Sequence, residues 1–325
     1  MATIASGMMI APTIFSTNLL SISLYLLPIA SDSNLMIIIN PIEVLLWTFR
    51  RNEKDVVKLY NTLSDVMRIT TGGDMLNFGY WTEETKGPLE AQNELCKIFG
   101  NLTELQNAKN IIDVGSGLSG PSILWKTKFN FLEITCIDIN FNQLKESSNK
   151  IKKILKNSVQ VHRLNATSTI LPLMDNSLDR VLALESVQHM KPLESFILES
   201  KRVLKNNGIL GLALPVVNEK INSALKLGIL SLTWSSQHYD VDYIKSVLTN
   251  SNFKKIEMEK IGSKVYAPLA NYYIENRNSL RKKILAKYPS YVEKILFKSL
   301  VKMKQLSENN VIDYLLVKCK KDDAN

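Results

Sequence analysis

Ile111-Ile-Asp-Val-Gly-Ser-Gly-Leu-Ser-Gly120, followed by Ile134-Thr-Cys-Ile-Asp138, decides how the rest of the chain is read. An apolar run enters Asp113, and glycines at 115, 117 and 120 then let the backbone turn tightly from strand to helix while a ligand lies against it. A second strand ends on Asp138, eighteen residues past Gly120. Its carboxylate can accept hydrogen bonds from both hydroxyls of a ribose, the role an acidic residue about 20 positions on plays in nucleotide-binding α/β folds. The ligand expected here carries a ribose. Such a glycine pattern also recurs in ordinary loops, so its context decides the matter.

The context is an alternation of helix and strand. After Asp138 the spacing predicts a helix over 140–157 and a strand over 159–164. Then come Asn165-Ala-Thr-Ser-Thr-Ile-Leu-Pro-Leu-Met-Asp-Asn-Ser-Leu-Asp179, a strand over 180–185, and Glu185-Ser-Val-Gln-His-Met190. Further strands are expected at 208–214, 253–261 and 311–319. The glycine turn, the Leu171-Pro-Leu-Met-Asp175 segment, the Glu-Ser-x-x-His-Met run and Lys205-Asn-Asn-Gly208 together resemble the class I S-adenosylmethionine (SAM) dependent methyltransferases. Leu76-Asn-Phe-Gly-Tyr-Trp81 resembles the opening of their small-molecule and lipid branch, which methylates quinones, sterols, tocopherols and macrolide-type hydroxyl groups.

This resemblance implies an α/β, Rossmann-like, seven-stranded sheet of order 3-2-1-4-5-7-6 with the last strand antiparallel, helices on both faces and helical insertions at 216–240 and 263–308. It implies SAM as cofactor. Asp113, Gly115 and Gly117 are then expected on its methionine and ribose side, Asp138 at the ribose hydroxyls, Ile139 on the adenine face, and Asn165 and Ala166 at the adenine border. Glu185 would offer its backbone carbonyl to the methionine amino group, or be a plain strand terminus. Two departures stand out: Ser119 replaces a common glycine, and Asn165 replaces an acidic residue, which leaves an uncharged acceptor for the adenine amino group.

With 325 residues, 45% of them hydrophobic, the chain can bury one large α/β core with appended elements. Three widely spaced cysteines, Cys96, Cys136 and Cys319, fit neither a disulfide framework nor a zinc site, and the three histidines show no metal-ligand spacing. A reducing, cytoplasmic setting and no metal are expected. The net charge of +9 is concentrated late, with 16 Lys and Arg against 8 Asp and Glu in residues 251–325. Lysines at 294, 298 and 302 beside an apolar stripe suit an anionic membrane surface, or else simply solvate the outer face of packed helices. No nucleic-acid recognition motif is present.

Residues 1–49 contain no Lys or Arg and end at Arg50-Arg51. Three readings stand for this hydrophobic segment: an anchor with its basic flank on the cytoplasmic side, an interfacial segment, or a start placed too early, with Met36 the true one. Apolar residues at helical spacing over 55–70 and 89–99 predict lid helices within 51–105, leaving 106–325 for the SAM-binding domain. In the family that the chain resembles such helices cover the SAM pocket, and by that resemblance Tyr60 is a candidate for the methionine part of the cofactor or the substrate. Tyr80, Trp81 and Gln188 are candidates for the substrate, with ordinary aromatic core as the other reading of the three rings.

His189, just past the fourth strand, is the candidate catalytic residue. A hydroxyl nucleophile needs a base, and a neutral imidazole can take its proton. C-methylation of an activated quinone or isoprenoid, or N-methylation of an amine, would need His189 only to orient the acceptor. The expected activity is methyl transfer to a small, apolar or lipid-like acceptor. An NAD(P)-dependent oxidoreductase and a non-catalytic SAM-binding protein are the alternatives from other classes.

Overall fold

The structure is a computed structural model that describes residues 52–155, 160–218 and 224–322. Strands β1 (Asn110–Val114), β2 (Glu133–Asp138), β3 (Val161–Asn165), β4 (Leu178–Leu184), β5 (Leu204–Val217), β6 (Phe253–Lys260) and β7 (Ile312–Lys321) form one sheet. Its order is β3-β2-β1-β4-β5-β7-β6, the order the resemblance implied. The first five strands pair in parallel, and β7 runs antiparallel to both β5 and β6. The central strand shows why: Ile111, Ile112 and Val114 are each at most 1% exposed, so β1 must be covered on both faces.

Two helical layers provide that cover. Ile111 faces a core built with Leu95 and Phe99 of α2 (Pro88–Leu102), Trp125 of α3 (Gly120–Lys128), and Leu144 and Ile151 of α4 (Phe141–Ile154). Ile112 and Val114 face Phe196 and Ile197 of α5 (Leu193–Val203) and Ile244 and Leu248 of α6 (Val241–Asn250). A third core stands apart, in which Val66 of the lid helix α1 (Glu53–Thr71) packs with residues of α7 (Tyr266–Glu275), α8 (Arg277–Leu285) and α9 (Ser290–Glu308).

Local signals set the helix ends. Asn52 caps α1 by accepting from the Asp55 N–H at 3.1 Å, and Gly72 ends it with φ +78°, the left-handed conformation that favours glycine. Pro88 opens α2 at its first turn, and α2 extends beyond the expected 89–99. β5 is also longer than expected. It begins at Leu204, beside Leu178, and carries Lys205-Asn-Asn-Gly208 inside the strand, where the pairing with β4 shifts register and Asn207 takes φ +60°. The helix expected to reach residue 157 ends at Ile154, and residues 156–159 lie outside the described residues.

The three readings of residues 1–49 also lie outside the described residues. Among the described residues no helix is long and apolar enough to cross a membrane. Cys96, Cys136 and Cys319 are buried free thiols, and burial pushes all three above their ordinary range.

Candidate active site

The turn after β1 is shaped by contacts that only glycine permits. Gly115 has φ +76°, donates its N–H to the Ile137 carbonyl at 2.7 Å, and a Cβ there would lie 2.2 Å from the Ser186 Cβ. Ser119, in place of the usual glycine, sits in the left-handed region at φ +58° at the cap of α3, a conformation that costs a non-glycine residue about 1–2 kcal/mol. Asp138 ends β2 opposite this turn. Its Oδ2 accepts from the Gly117 N–H at 2.8 Å and its Oδ1 from the Asn140 N–H at 2.7 Å. Two backbone donors therefore hold the carboxylate in one orientation.

Asn140 and Gln143 stand at the spacing of a reciprocal cap at the start of α4, but only half of that cap forms. The Asn140 Oδ1 accepts from the Asn142 and Gln143 N–H groups, whereas the Gln143 Nε2 donates to Ser64 Oγ at 3.0 Å. Asp138 already accepts from the Asn140 N–H that the glutamine would have served, which frees Gln143 to hold α1.

A cavity of about 920 Å³ of non-atom space, open at its mouth, lies beyond the carboxyl ends of β1, β2 and β4. Tyr60, Asp113, Gly115, Gly117, Asp138, Ile139, Ala166, Glu185 and His189 all line it. Sequence reasoning missed several further lining residues, among them Val56, Val57, Met75, Leu76, Ser116, Asn140, Gln143 and Met190. The helical repeat of α1 carries the signal for the first two, because positions 56, 57 and 60 share one face.

Four candidates are placed otherwise. The Asn165 amide donates to the Asp138 carbonyl at 2.8 Å from an exposed position at the sheet edge. The Gln188 Nε2 donates to the Glu185 carbonyl at 2.7 Å while its buried Oε1 has no partner. Trp81 is buried against Tyr272, with ring centroids 5.7 Å apart, and Tyr80 packs on the core under α2.

The electrostatics of the cavity are one-sided. Its described lining holds the carboxyls of Glu53, Asp113, Asp138 and Glu185 and no Lys or Arg. Burial pushes Asp113 up to about 7, reinforced by the nearby Asp138 charge and opposed by the Ser122 hydroxyl, which donates to its Oδ2 at 2.6 Å. Burial also pushes Glu185 up to about 8, against the Phe78 N–H at 2.8 Å and the Tyr314 hydroxyl at 3.0 Å, which both donate to its Oε1. Asp138 is raised for the same reason. A cationic ligand would draw these carboxyls toward their ionised forms, so the lining suits positive charge.

At the inner side of the cavity the Tyr60 hydroxyl meets the His189 Nε2 at 3.0 Å, and the His189 Nδ1 meets Ser236 Oγ at 2.5 Å. Tyr60 and His189 are 129 residues apart in sequence, with their rings edge to face.

A family profile described as "Methyltransferase domain" matches residues 112–212, the stretch from β1 to β5 that builds this cavity. The matched stretch is a class I SAM-dependent methyltransferase domain. This methyltransferase is 24% identical over 267 residues to the erythromycin 3''-O-methyltransferase of Saccharopolyspora erythraea, covering 77% of its own length and 85% of the relative. It is 29% identical over 158 residues to the 27-O-demethylrifamycin SV methyltransferase of Amycolatopsis mediterranei, over 49% and 57% of the two chains. In fold it is similar to a putative sarcosine dimethylglycine methyltransferase from Galdieria sulphuraria, with a TM-score of 0.69, 15% identity, and 80% and 98% of the chains covered. The carboxylate-lined cavity fits the charge of SAM, and the glycine turn with its held Asp138 fits an adenosine ribose.

Proposed function

We propose that this methyltransferase methylates a hydroxyl of a small, apolar acceptor, with His189 as general base. The observation that carries the reading is the contact of His189 Nε2 with a hydroxyl, that of Tyr60, at 3.0 Å on the cavity wall. A substrate hydroxyl replacing the phenol there would stand within hydrogen-bond reach of the same nitrogen. SAM supplies a methyl group on a sulfonium, and the electron pair of the broken carbon–sulfur bond stays on sulfur. The protein aligns the acceptor oxygen and excludes water with α1. Nε2 takes the proton that the hydroxyl releases.

The cofactor roles follow the same reading: Asp138 for the ribose hydroxyls, Asp113, Gly115 and Gly117 for the methionine and ribose side, Ile139 and Ala166 for the adenine, and Glu185 for the methionine amino group. Residues 51–105 serve as the lid of a catalytic domain spanning 106–325. Val56, Val57, Met75, Leu76 and Met190 give the cavity an apolar wall, which supports an apolar acceptor. Two relatives named for methylating erythromycin and 27-O-demethylrifamycin SV support a complex hydroxylated acceptor.

The test is transfer of labelled methyl from SAM to a panel of macrolide-type alcohols, phenols, amines and isoprenoids, each run with His189→Ala. Label on an oxygen, lost in the variant while SAM still binds, is expected. Label only on nitrogen or carbon, or a variant as active as the parent, would overturn the hydroxyl and base assignments.

A further inference from the structure

We propose that Ser236 is a positioning residue for methyl transfer, holding His189 as the tautomer with its proton on Nδ1 so that Nε2 remains the acceptor. The inference rests on His189 acting as the base and deepens that reading. Ser236 lies 47 residues from His189, on the segment between the short helix Leu230–Thr233 and α6, and its Oγ is 2.5 Å from Nδ1.

That distance is built by the fold. The Gln237 N–H donates to the Gln188 carbonyl at 2.9 Å, and the Tyr239 hydroxyl donates to the Met190 carbonyl at 2.7 Å. The Val217 N–H in turn donates to the Tyr239 carbonyl at 3.0 Å, fixing the same segment to the end of β5. The residues after Ser236 are thus tied to the residues on either side of His189. The Gln188 amide adds a bond from within the 3-10 turn Val187–His189 to Glu185 at the end of β4.

The direction of the two imidazole bonds follows from acidity. A phenol ionises near 10 and an alkyl alcohol far above that, so Tyr60 is the better donor and its O–H is assigned to Nε2. Nδ1 then carries the ring proton and donates to Ser236 Oγ. Were the serine the donor instead, Nε2 would hold a hydrogen and could accept nothing from a substrate. Methylation of a hydroxyl releases one proton per methyl accepted. Once Nε2 has taken it, the imidazolium retains its Nδ1–H bond to Ser236, so the charge forms in a ring that is already oriented.

The experiment uses the full chain labelled with 15N-histidine and saturated with S-adenosylhomocysteine. The three histidines are resolved by nitrogen-detected correlation spectra, and His189→Gln assigns the signal of interest. In the parent the His189 Nε2 should be the unprotonated nitrogen. In a Tyr60→Phe background, which removes the phenol that favours the same tautomer, Ser236→Ala should move the ring toward the Nε2–H form that imidazole prefers in water, and Ser236→Thr should restore it. With the acceptor found in the panel, Ser236→Ala should lower kcat about tenfold, a part of what a general base contributes, at unchanged KM for SAM. Proton on Nε2 in the parent, or spectra and kcat that Ser236→Ala leaves unchanged, would overturn the role of Ser236. The two readings fail separately: an active His189→Gln removes the base, whereas an inactive His189→Gln beside a fully active Ser236→Ala removes only the serine.

Discussion

Asp113 lies next to the end of β1 and Glu185 follows the adjacent β4, and burial pushes their carboxyls up to about 7 and about 8. A carboxyl raised in the folded state stabilises the fold while it keeps its proton, and that contribution is lost as pH rises through the folded pKa. SAM, with a net positive charge, favours the ionised forms. The thermal midpoint of the ligand-free protein should therefore fall as pH rises from about 4, where unfolded carboxyls ionise, to about 8, where the folded ones have ionised, while the increment added by saturating SAM grows toward the upper end of that window. Calorimetry in two buffers of different ionisation enthalpy should register proton release on binding. A constant increment with no proton release would remove the carboxyls from the cofactor site.

Gly115→Ala tests the turn itself. A Cβ at φ +76° and 2.2 Å from Ser186 combines backbone strain with overlap, and the variant should lose about 2–4 kcal/mol in denaturant unfolding, together with its SAM affinity. Parent-like unfolding and affinity would show that the turn has room to spare. Gly115 and Asp138 were legible in the sequence because one short segment encodes both the turn and its contact. Asn165 and Gln188 lie outside the cavity lining, and the direction of each amide depends on carbonyls that only the folded chain brings near. Ser236 has no signal at all: nothing in Ser235-Ser236 points to a histidine 47 residues earlier.

Helix α1 is held to α4 and to the loop that follows α1 by a polar seam. Asn61 meets Asn140 at 2.9 Å, Ser64 meets Gln143 at 3.0 Å, and Arg68 pairs with Glu146 at 3.0 Å and with Asp74 at 2.7 Å. Its apolar side enters the third core instead, through Leu63, Val66 and Ile69. The ion pairs of Arg68 are the weakest part of this attachment, since each such partly exposed pair contributes about 0–1 kcal/mol. Arg68→Ala should thus change global stability by less than about 1 kcal/mol yet speed SAM dissociation severalfold in stopped-flow displacement; an unchanged off-rate would mean that α1 does not gate the cavity. The periodicity of α1 was legible from its apolar residues. The extension of β5 was not, because Asn206-Asn207-Gly208 carries turn residues and the pairing with β4 overrides them.

Across the whole molecule, the two cores on the sheet faces and the third under α7, α8 and α9 form separate apolar clusters. Glu293 is buried in the third, where Arg277 donates to it at 2.8 Å, Arg281 lies 3.6 Å away and the Tyr273 hydroxyl donates at 3.4 Å. The Arg277 guanidinium keeps the Glu293 carboxyl below its ordinary range. Glu293→Ala strips these groups of their partner at a cost of about 3 kcal/mol. Hydrogen exchange should quicken across 266–308 and 53–71 and stay slow in β1, β4 and β5; uniform acceleration would instead mean that cap and sheet unfold as one. The Rossmann-like half was legible because its ligand contacts and strand patterns are local, whereas the cap core joins residues more than 200 positions apart, as in the hydrogen bond from Tyr288 to Asp65.

The position of β7 has a consequence for synthesis on the ribosome. Residues 312–321 fill the gap between β5 and β6. Until they clear the exit tunnel, a nascent chain that already holds the glycine turn and His189 carries two unpaired strand edges, each able to pair with another chain. The glycine turn is translated first, but the sheet beneath it closes only when β7 arrives, and over that interval the open edges are exposed to other chains.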